Sequence, residues 1–215
     1  MPRIVYQSLS LLTAAFKSRD DARRDSSRPN ALTLDSLAAI VMAAAACEAF
    51  INELGEYIPL YGAATRDWAP IPQKLVDCGS VLARLESERS PVALKYLVAS
   101  LILSGSMFNS GEAPMQAFEE LLALRNSVMH LKPSDKSGPK RAEALAQRGE
   151  AYPVEPGWNM HWLDRLETPQ TAEWACATAR AIILAVLAMI PDASSSTDNL
   201  YYIKQAFRDD NRFPP

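Results

Sequence analysis

The chain has few of the residues that metal sites and disulfides require. Its 215 residues include three cysteines and two histidines. The cysteines are far apart, and no pair has the C-x2-C spacing of a zinc knuckle. Cys47, Cys78 and Cys176 each lie among Ala, Leu and Val, where a thiol behaves as a small apolar group. We therefore predict reduced core cysteines and assign no metal and no cofactor.

Basic charge is also scarce. The chain has 22 Lys and Arg against 25 Asp and Glu, which gives a net charge of −3. Proteins that bind nucleic acid mainly by charge present a clearly basic surface. Any nucleic-acid binding by this chain must therefore use a local patch.

Long hydrophobic runs are missing as well. The longest, at 37–47 and 181–190, are about half as long as a bilayer span. Near the N-terminus, apolar residues recur at spacings of four, three and four, at Val5, Leu9, Leu12 and Phe16. This spacing predicts a helix that docks on the rest of the protein by one apolar side, and not a signal peptide. The sequence predicts a cytoplasmic protein without a membrane segment.

Helical periodicity organises the whole chain, and no segment alternates like a strand. Apolar residues of the longest segment follow a strict three–four spacing at Leu37, Ile40, Ala44, Cys47, Ile51, Leu54 and Ile58. We predict helices over about 3–17, 33–59, 72–87, 91–106, 113–132, 169–190 and 197–208. Residues 18–30 and 133–168 are predicted connectors, the second with one or two helical turns. The fold class is all-α, a single-domain antiparallel helical bundle over 1–215.

The segment RNSVMH at 125–130, near the end of one predicted helix, brings together Arg125, Asn126 and His130. On a helical wheel the apolar stripe of 113–132 comprises Phe118, Leu121, Leu122, Val128 and Met129. Arg125 lies about 20° from Phe118 on that wheel, so its charge needs a carboxylate, a phosphate or a wet cleft nearby. Asn126 and His130 are four apart on the polar edge, and the carbonyl end of the helix favours a protonated His130.

These residue types suit cleavage of RNA without metal. The 2′-hydroxyl of RNA is its own nucleophile, so the reaction needs a base, an acid and a cation for the charged phosphorane. Histidine titrates in the range for the proton steps, and arginine offers a fixed fork of donors to phosphate oxygens. Because this helix end has one histidine, acid and base require a second chain or a second residue.

Arg125 and His130, with four residues between them, resemble the R-x4-H motif of the HEPN superfamily. The segment ACEAFINEL at 46–54 resembles the matching HEPN helix, which often carries Glu and Asn at the positions of Glu48 and Asn52. The resemblance covers about 32–132 and, more loosely, 169–190. It leaves out the connector 133–168, both termini and the short helix near 197–208.

Active HEPN proteins cut RNA without metal, usually in a cleft shared by two subunits, and many belong to toxin–antitoxin or other defence systems. The resemblance implies that Arg125 holds the scissile phosphate, His130 transfers protons and Asn126 orients either. It implies supporting roles for Glu48, which would fix Arg125, and for Asn52. The implied partners are a second copy bound through the faces bearing 113–132, an RNA substrate and an antitoxin protein.

A basic stretch follows the motif directly and is either an RNA-binding patch or a solvated loop. It comprises Lys132, Lys136, Lys140, Arg141 and Arg148. Trp158 and Trp162 would stack bases or anchor the connector, and His161 between them is predicted to pack there.

Structural interpretations stand beside these functional ones. His130 could cap the helix end, Asn126 could be a polar edge residue, and Arg125 could form a structural ion pair with Glu48. The alternatives to a ribonuclease are a non-catalytic HEPN module that binds a protein or nucleotide, and a helical structural protein.

Overall fold

The structure, a computed structural model, describes residues 6–25, 34–64, 72–131, 136–154, 160–190, 199–209 and 213. Within these ranges every regular element is a helix, so the predicted all-α bundle is confirmed. The elements are α1 (Gln7–Asp25), α2 (Asp35–Ala64), α3 (Gln73–Ser87), α4 (Val92–Ser104), α5 (Met115–Met129), α6 (Ser137–Gln147), a 3-10 turn (Asp164–Leu166), α7 (Pro169–Met189) and α8 (Asn199–Arg208).

Helices α2 and α7 form the centre of the bundle. Helix α2 packs against α1, α3 and α7, and α5 packs against α2, α6 and α7. One hydrophobic cluster draws residues from all eight described helices. Thr168 caps α7 by accepting a hydrogen bond from the Thr171 N–H at 2.9 Å, and Pro169 stands at the first helical position, where the predicted helix 169–190 begins.

The first helix is longer than its sequence predicts. It continues to Asp25 instead of ending near 17, so part of the predicted connector 18–30 is helical. Arg19 is fully buried, with its guanidinium over the Phe16 ring at 4.4 Å and 3.4 Å from the Glu173 carboxylate. The charged end of α1 is therefore helical because it packs against α7.

Helix α6 lies inside the predicted connector 133–168 and has three turns, where one or two were expected. Its early Gly138 and Pro139 read as loop residues in the sequence, but proline is tolerated in the first turn of a helix. Ala142 and Leu145 are buried one turn apart and give α6 its core face. The connector therefore adds a helix to the bundle.

The three cysteines are buried and free, as predicted. Burial raises the pKa of Cys78 and of Cys176 to about 12, and it raises the pKa of Cys47 further. By length and composition alone, Asp35–Glu56 of α2 and Pro169–Met189 of α7 are long and apolar enough to cross a membrane. Half of each stretch is buried against other helices, as in the core of a helical bundle.

Candidate functional site

The buried face of α5 differs from the one that an ideal wheel predicts. It comprises Met115, Phe118, Leu121, Leu124 and Ser127. Because these residues are three apart, each lies about 60° from the one before, and the buried face winds around the helix. Near the helix end Arg125 and Met129 therefore lie outside it. Met129 is 56% exposed, so its predicted place in the apolar stripe is wrong.

Arg125 and Glu48 join the end of α5 to α2. The Arg125 Nη2 donates to the Glu48 Oε2 at 2.9 Å, so the contact that both interpretations of Arg125 require is present. The Arg125 side chain is 24% exposed and Glu48 more so, and water screens such a pair to a net stability of about 0–1 kcal/mol. The pair therefore acts mainly by fixing the position of the guanidinium.

Most donors of Arg125 remain available. A guanidinium has five N–H groups, and only one of those on Arg125 donates to another residue within the described part of the chain. Together with its partial exposure, this leaves Arg125 able to bind an anion without breaking its contact with Glu48.

His130 directly follows the last helical residue of α5. The helix ends at Met129, three residues before the predicted end, and His130 turns away with φ −120° and ψ 52°. Its backbone N–H, not its ring, donates to the Asn126 carbonyl at 2.9 Å. The side chains of Asn126 and His130 are exposed. Arg125, Asn126 and His130 thus share one helix end that solvent reaches.

Asn52 belongs to a different cluster from the one predicted. Its Oδ1 accepts a hydrogen bond from the Lys95 Nζ at 2.9 Å, and Lys95, which is 2% exposed, also pairs with Glu86. None of the described hydrogen bonds joins Asn52 to Arg125, Asn126 or His130. Asn52 lies one turn beyond Glu48, about 6 Å further along α2. At that level α2 faces the cluster formed by Lys95 of α4 and Glu86 of α3, and not the end of α5. The sequence signal for this cluster is Lys95, the only charge in the apolar helix α4.

We expect Asn52→Ala to act on stability. It removes one of two partners of a buried ammonium and should lower the free energy of unfolding by about 1–3 kcal/mol in urea denaturation. Asn126→Ala, an exposed change of the same kind, should stay within about 0.5 kcal/mol of the natural protein. Equal stabilities for the two variants would contradict the Asn52–Lys95 contact.

The basic residues that follow the RNSVMH segment differ in how exposed and how neutralised they are. Lys136 and Lys140 are exposed at the start of α6 and Arg141 is half-buried, whereas Lys132 lies outside the described residues. Arg148 pairs with Glu120 at 2.9 Å and Glu150 at 2.8 Å and is therefore neutralised. No carboxylate of the described residues pairs with Lys136, Lys140 or Arg141. Within the described part of the stretch, these three cations are the candidates for the predicted RNA-binding patch.

The end of α5 and the start of α6 are joined by a serine pair that sequence patterns do not reveal. The Oγ atoms of Ser127 and Ser137 lie 3.3 Å apart. The described aromatic residues of the connector lie next to this pair in α6, at Gly138. Trp162 packs on Gly138, as an anchor would, whereas His161 is exposed beside it and Trp158 lies outside the described residues.

The chain matches no family model, no curated protein sequence and no solved structure. Among the described residues, no three His, Cys, Asp or Glu side chains come together as a metal site would require. The geometry of the α5 end therefore carries the functional argument.

Proposed function

We propose that this protein is a metal-independent endoribonuclease of the HEPN type. The observation that supports it best is the partly exposed Arg125, held by Glu48 at a helix end that also bears the exposed Asn126 and His130. A guanidinium sealed in a dry interior could not contact a phosphodiester. Here its free donors and an imidazole are both open to solvent.

The proposed reaction is an internal transesterification. The 2′-oxygen attacks the adjacent phosphorus, its proton passes to a base, and the bond to the 5′-oxygen breaks as an acid protonates that oxygen. The products are a 2′,3′-cyclic phosphate and a free 5′-hydroxyl. His130 carries one of the two proton transfers, and Arg125 donates to the non-bridging oxygens, where negative charge develops. Asn126 orients the phosphate or the His130 ring.

The second proton transfer calls for a second copy of the chain. Each chain brings one histidine to the α5 end, so a homodimer that joins two such ends supplies both acid and base. Met129 and Leu131, which flank His130, are exposed apolar side chains suited to that contact. In this proposal the protein acts in the cytoplasm, as a toxin whose antitoxin protein covers the shared cleft.

Cleavage in the presence of EDTA tests the proposal. Purified protein should cut single-stranded RNA in excess EDTA and leave 2′,3′-cyclic phosphate ends. A substrate with 2′-deoxyribose at the cut site should stay intact, because it lacks the nucleophile. Loss of cutting in EDTA, or cutting of the 2′-deoxy substrate at the same bond, would refute this mechanism.

The second candidate is a non-catalytic HEPN module that binds a protein or nucleotide partner. It keeps the Glu48–Arg125 ion pair as the means of positioning the guanidinium, and it is favoured by the single histidine at the α5 end, because binding alone needs no second proton-transferring group. Such a module would bind RNA or a nucleotide at the same helix end and leave RNA intact over long incubation. A helical structural protein would do neither.

A further inference from the structure

An open cavity lies between α6 and the segment that precedes α7. It has a volume of about 480 Å³, within the range of small-ligand sites. Its lining residues are Pro139, Val154, Met160, His161, Trp162 and Arg165. All of them lie in the region that the sequence predicts as a connector.

Trp162 gives the cavity a fixed flat surface. Its indole lies so close to the α6 backbone that a Cβ atom placed on Gly138 would be 2.7 Å from the ring. The ring therefore rests directly on α6, at a position where only glycine leaves room. The His161 ring lies beside it, with 5.9 Å between the ring centroids, and is exposed. Two rings are thus available for stacking.

Arg165 gives the cavity hydrogen-bond donors. It is 4% exposed, its Nε donates to the Tyr152 carbonyl at 2.9 Å, and its Nη2 donates to Glu143 at 2.7 Å. Its Nη1 donates to none of the residues that the structure describes. Glu143 already balances the charge of Arg165, so these spare donors suit a neutral acceptor better than a second anion.

A flat aromatic surface beside spare arginine donors has the chemistry that binds a nucleobase. Every base has a face that stacks on an aromatic ring, and guanine also presents O6 and N7 to an arginine. We propose that this cavity binds one unpaired guanine of the RNA on which the α5 end acts. The proposal rests on the proposed function for its substrate class.

The cavity and the α5 end share the first turn of α6. Ser137 contacts Ser127, which is three residues before His130, and Pro139, two residues after Ser137, lines the cavity. Lys136 and Lys140 are exposed on the same turn, where they can pair with the phosphates between the two positions. A single strand can therefore lie across α6, with one base in the cavity and a phosphodiester further along the strand at Arg125.

Val154→Glu tests the proposal with little risk to the fold. Val154 is 56% exposed at the cavity, so a glutamate there keeps the core intact and repels the O6 and N7 acceptors that face Arg165, as well as the adjacent phosphate. Val81→Glu, the same change at an exposed position on α3, is the matched control. The probes are fluorescent single-stranded 2′-O-methyl heptanucleotides, which lack the 2′-hydroxyl and cannot be cut. One carries a central guanine and the other an abasic centre.

We expect Val154→Glu to weaken binding of the guanine probe about tenfold or more in fluorescence anisotropy, the loss expected for one displaced base. Val81→Glu should bind as the natural protein does, and the abasic probe should bind weakly to all three. Equal binding of the two probes, or equal effects of the two substitutions, would overturn the proposal. Cutting of RNA in EDTA is measured separately, so failure of the base site leaves the ribonuclease proposal standing, and the reverse holds too.

Discussion

Replacing His130 by alanine is expected to lower the rate of RNA cleavage in EDTA by about 10²–10⁴-fold. This is the usual contribution of one proton-transferring side chain. The fold should not suffer, because the ring is exposed and the backbone N–H, which alanine keeps, closes the last turn of α5. The free energy of unfolding should change by less than about 1 kcal/mol, as expected for a surface substitution.

Initial rates on a single-stranded RNA and urea denaturation of the same preparations check this expectation. Met107→Ala, an exposed change in the loop between α4 and α5, is the control and should cut at the natural rate. If the His130 variant cut RNA at the natural rate, the imidazole would have no part in the proposed proton transfer. Loss of folding in that variant would favour the structural interpretation of the α5 end.

Replacing Phe118 by alanine should have the largest effect on stability, a loss of about 3–5 kcal/mol. Phe118 is fully buried on the same helix as His130, and its ring centroid lies 4.6 Å from that of Tyr96. The Tyr96 hydroxyl donates to the Cys47 carbonyl at 2.9 Å. The aromatic pair therefore joins α5, α4 and α2, and the cavity left by alanine would lie where the three meet.

Denaturation in urea again gives the measurement, with Phe118→Leu as the conservative partner. Leucine fills most of the space and should cost less than about 1.5 kcal/mol. If Phe118→Ala were as stable as the natural protein, the buried face assigned to α5 would be wrong. The His130 and Phe118 variants together separate loss of activity from loss of fold on one helix.

The fold was largely predictable because apolar periodicity dominates this sequence. The three–four spacing within α2 and the Thr168–Pro169 start of α7 are local signals, and both elements are present as predicted. Helix α6 and the end of α1 escaped prediction because their formation depends on distant contacts. At the end of α1, Arg19 pairs with Glu173 of α7. At the start of α6, Gly138 packs against Trp162.

The candidate site was predictable in part. The Glu48–Arg125 contact was expected because a charge near the middle of the apolar stripe of 113–132 needs a partner, and because the resemblance pairs these two residues. Asn52 was placed wrongly because its partner Lys95 belongs to another helix, and no local pattern joins them. The helical wheel placed Met129 in the apolar stripe because a wheel assumes that one side of a helix is buried along its whole length. In α5 the buried side changes along the helix.

The winding of that face divides α5 into two parts with different constraints. Up to Leu124, a substitution on the buried face must match the volume of the side chain that it replaces. Beyond that point the residues on the Arg125 side lie outside the core, and core packing places little limit on a substitution there. The side chains on that side of the helix end could therefore change in the course of evolution while the bundle keeps its structure.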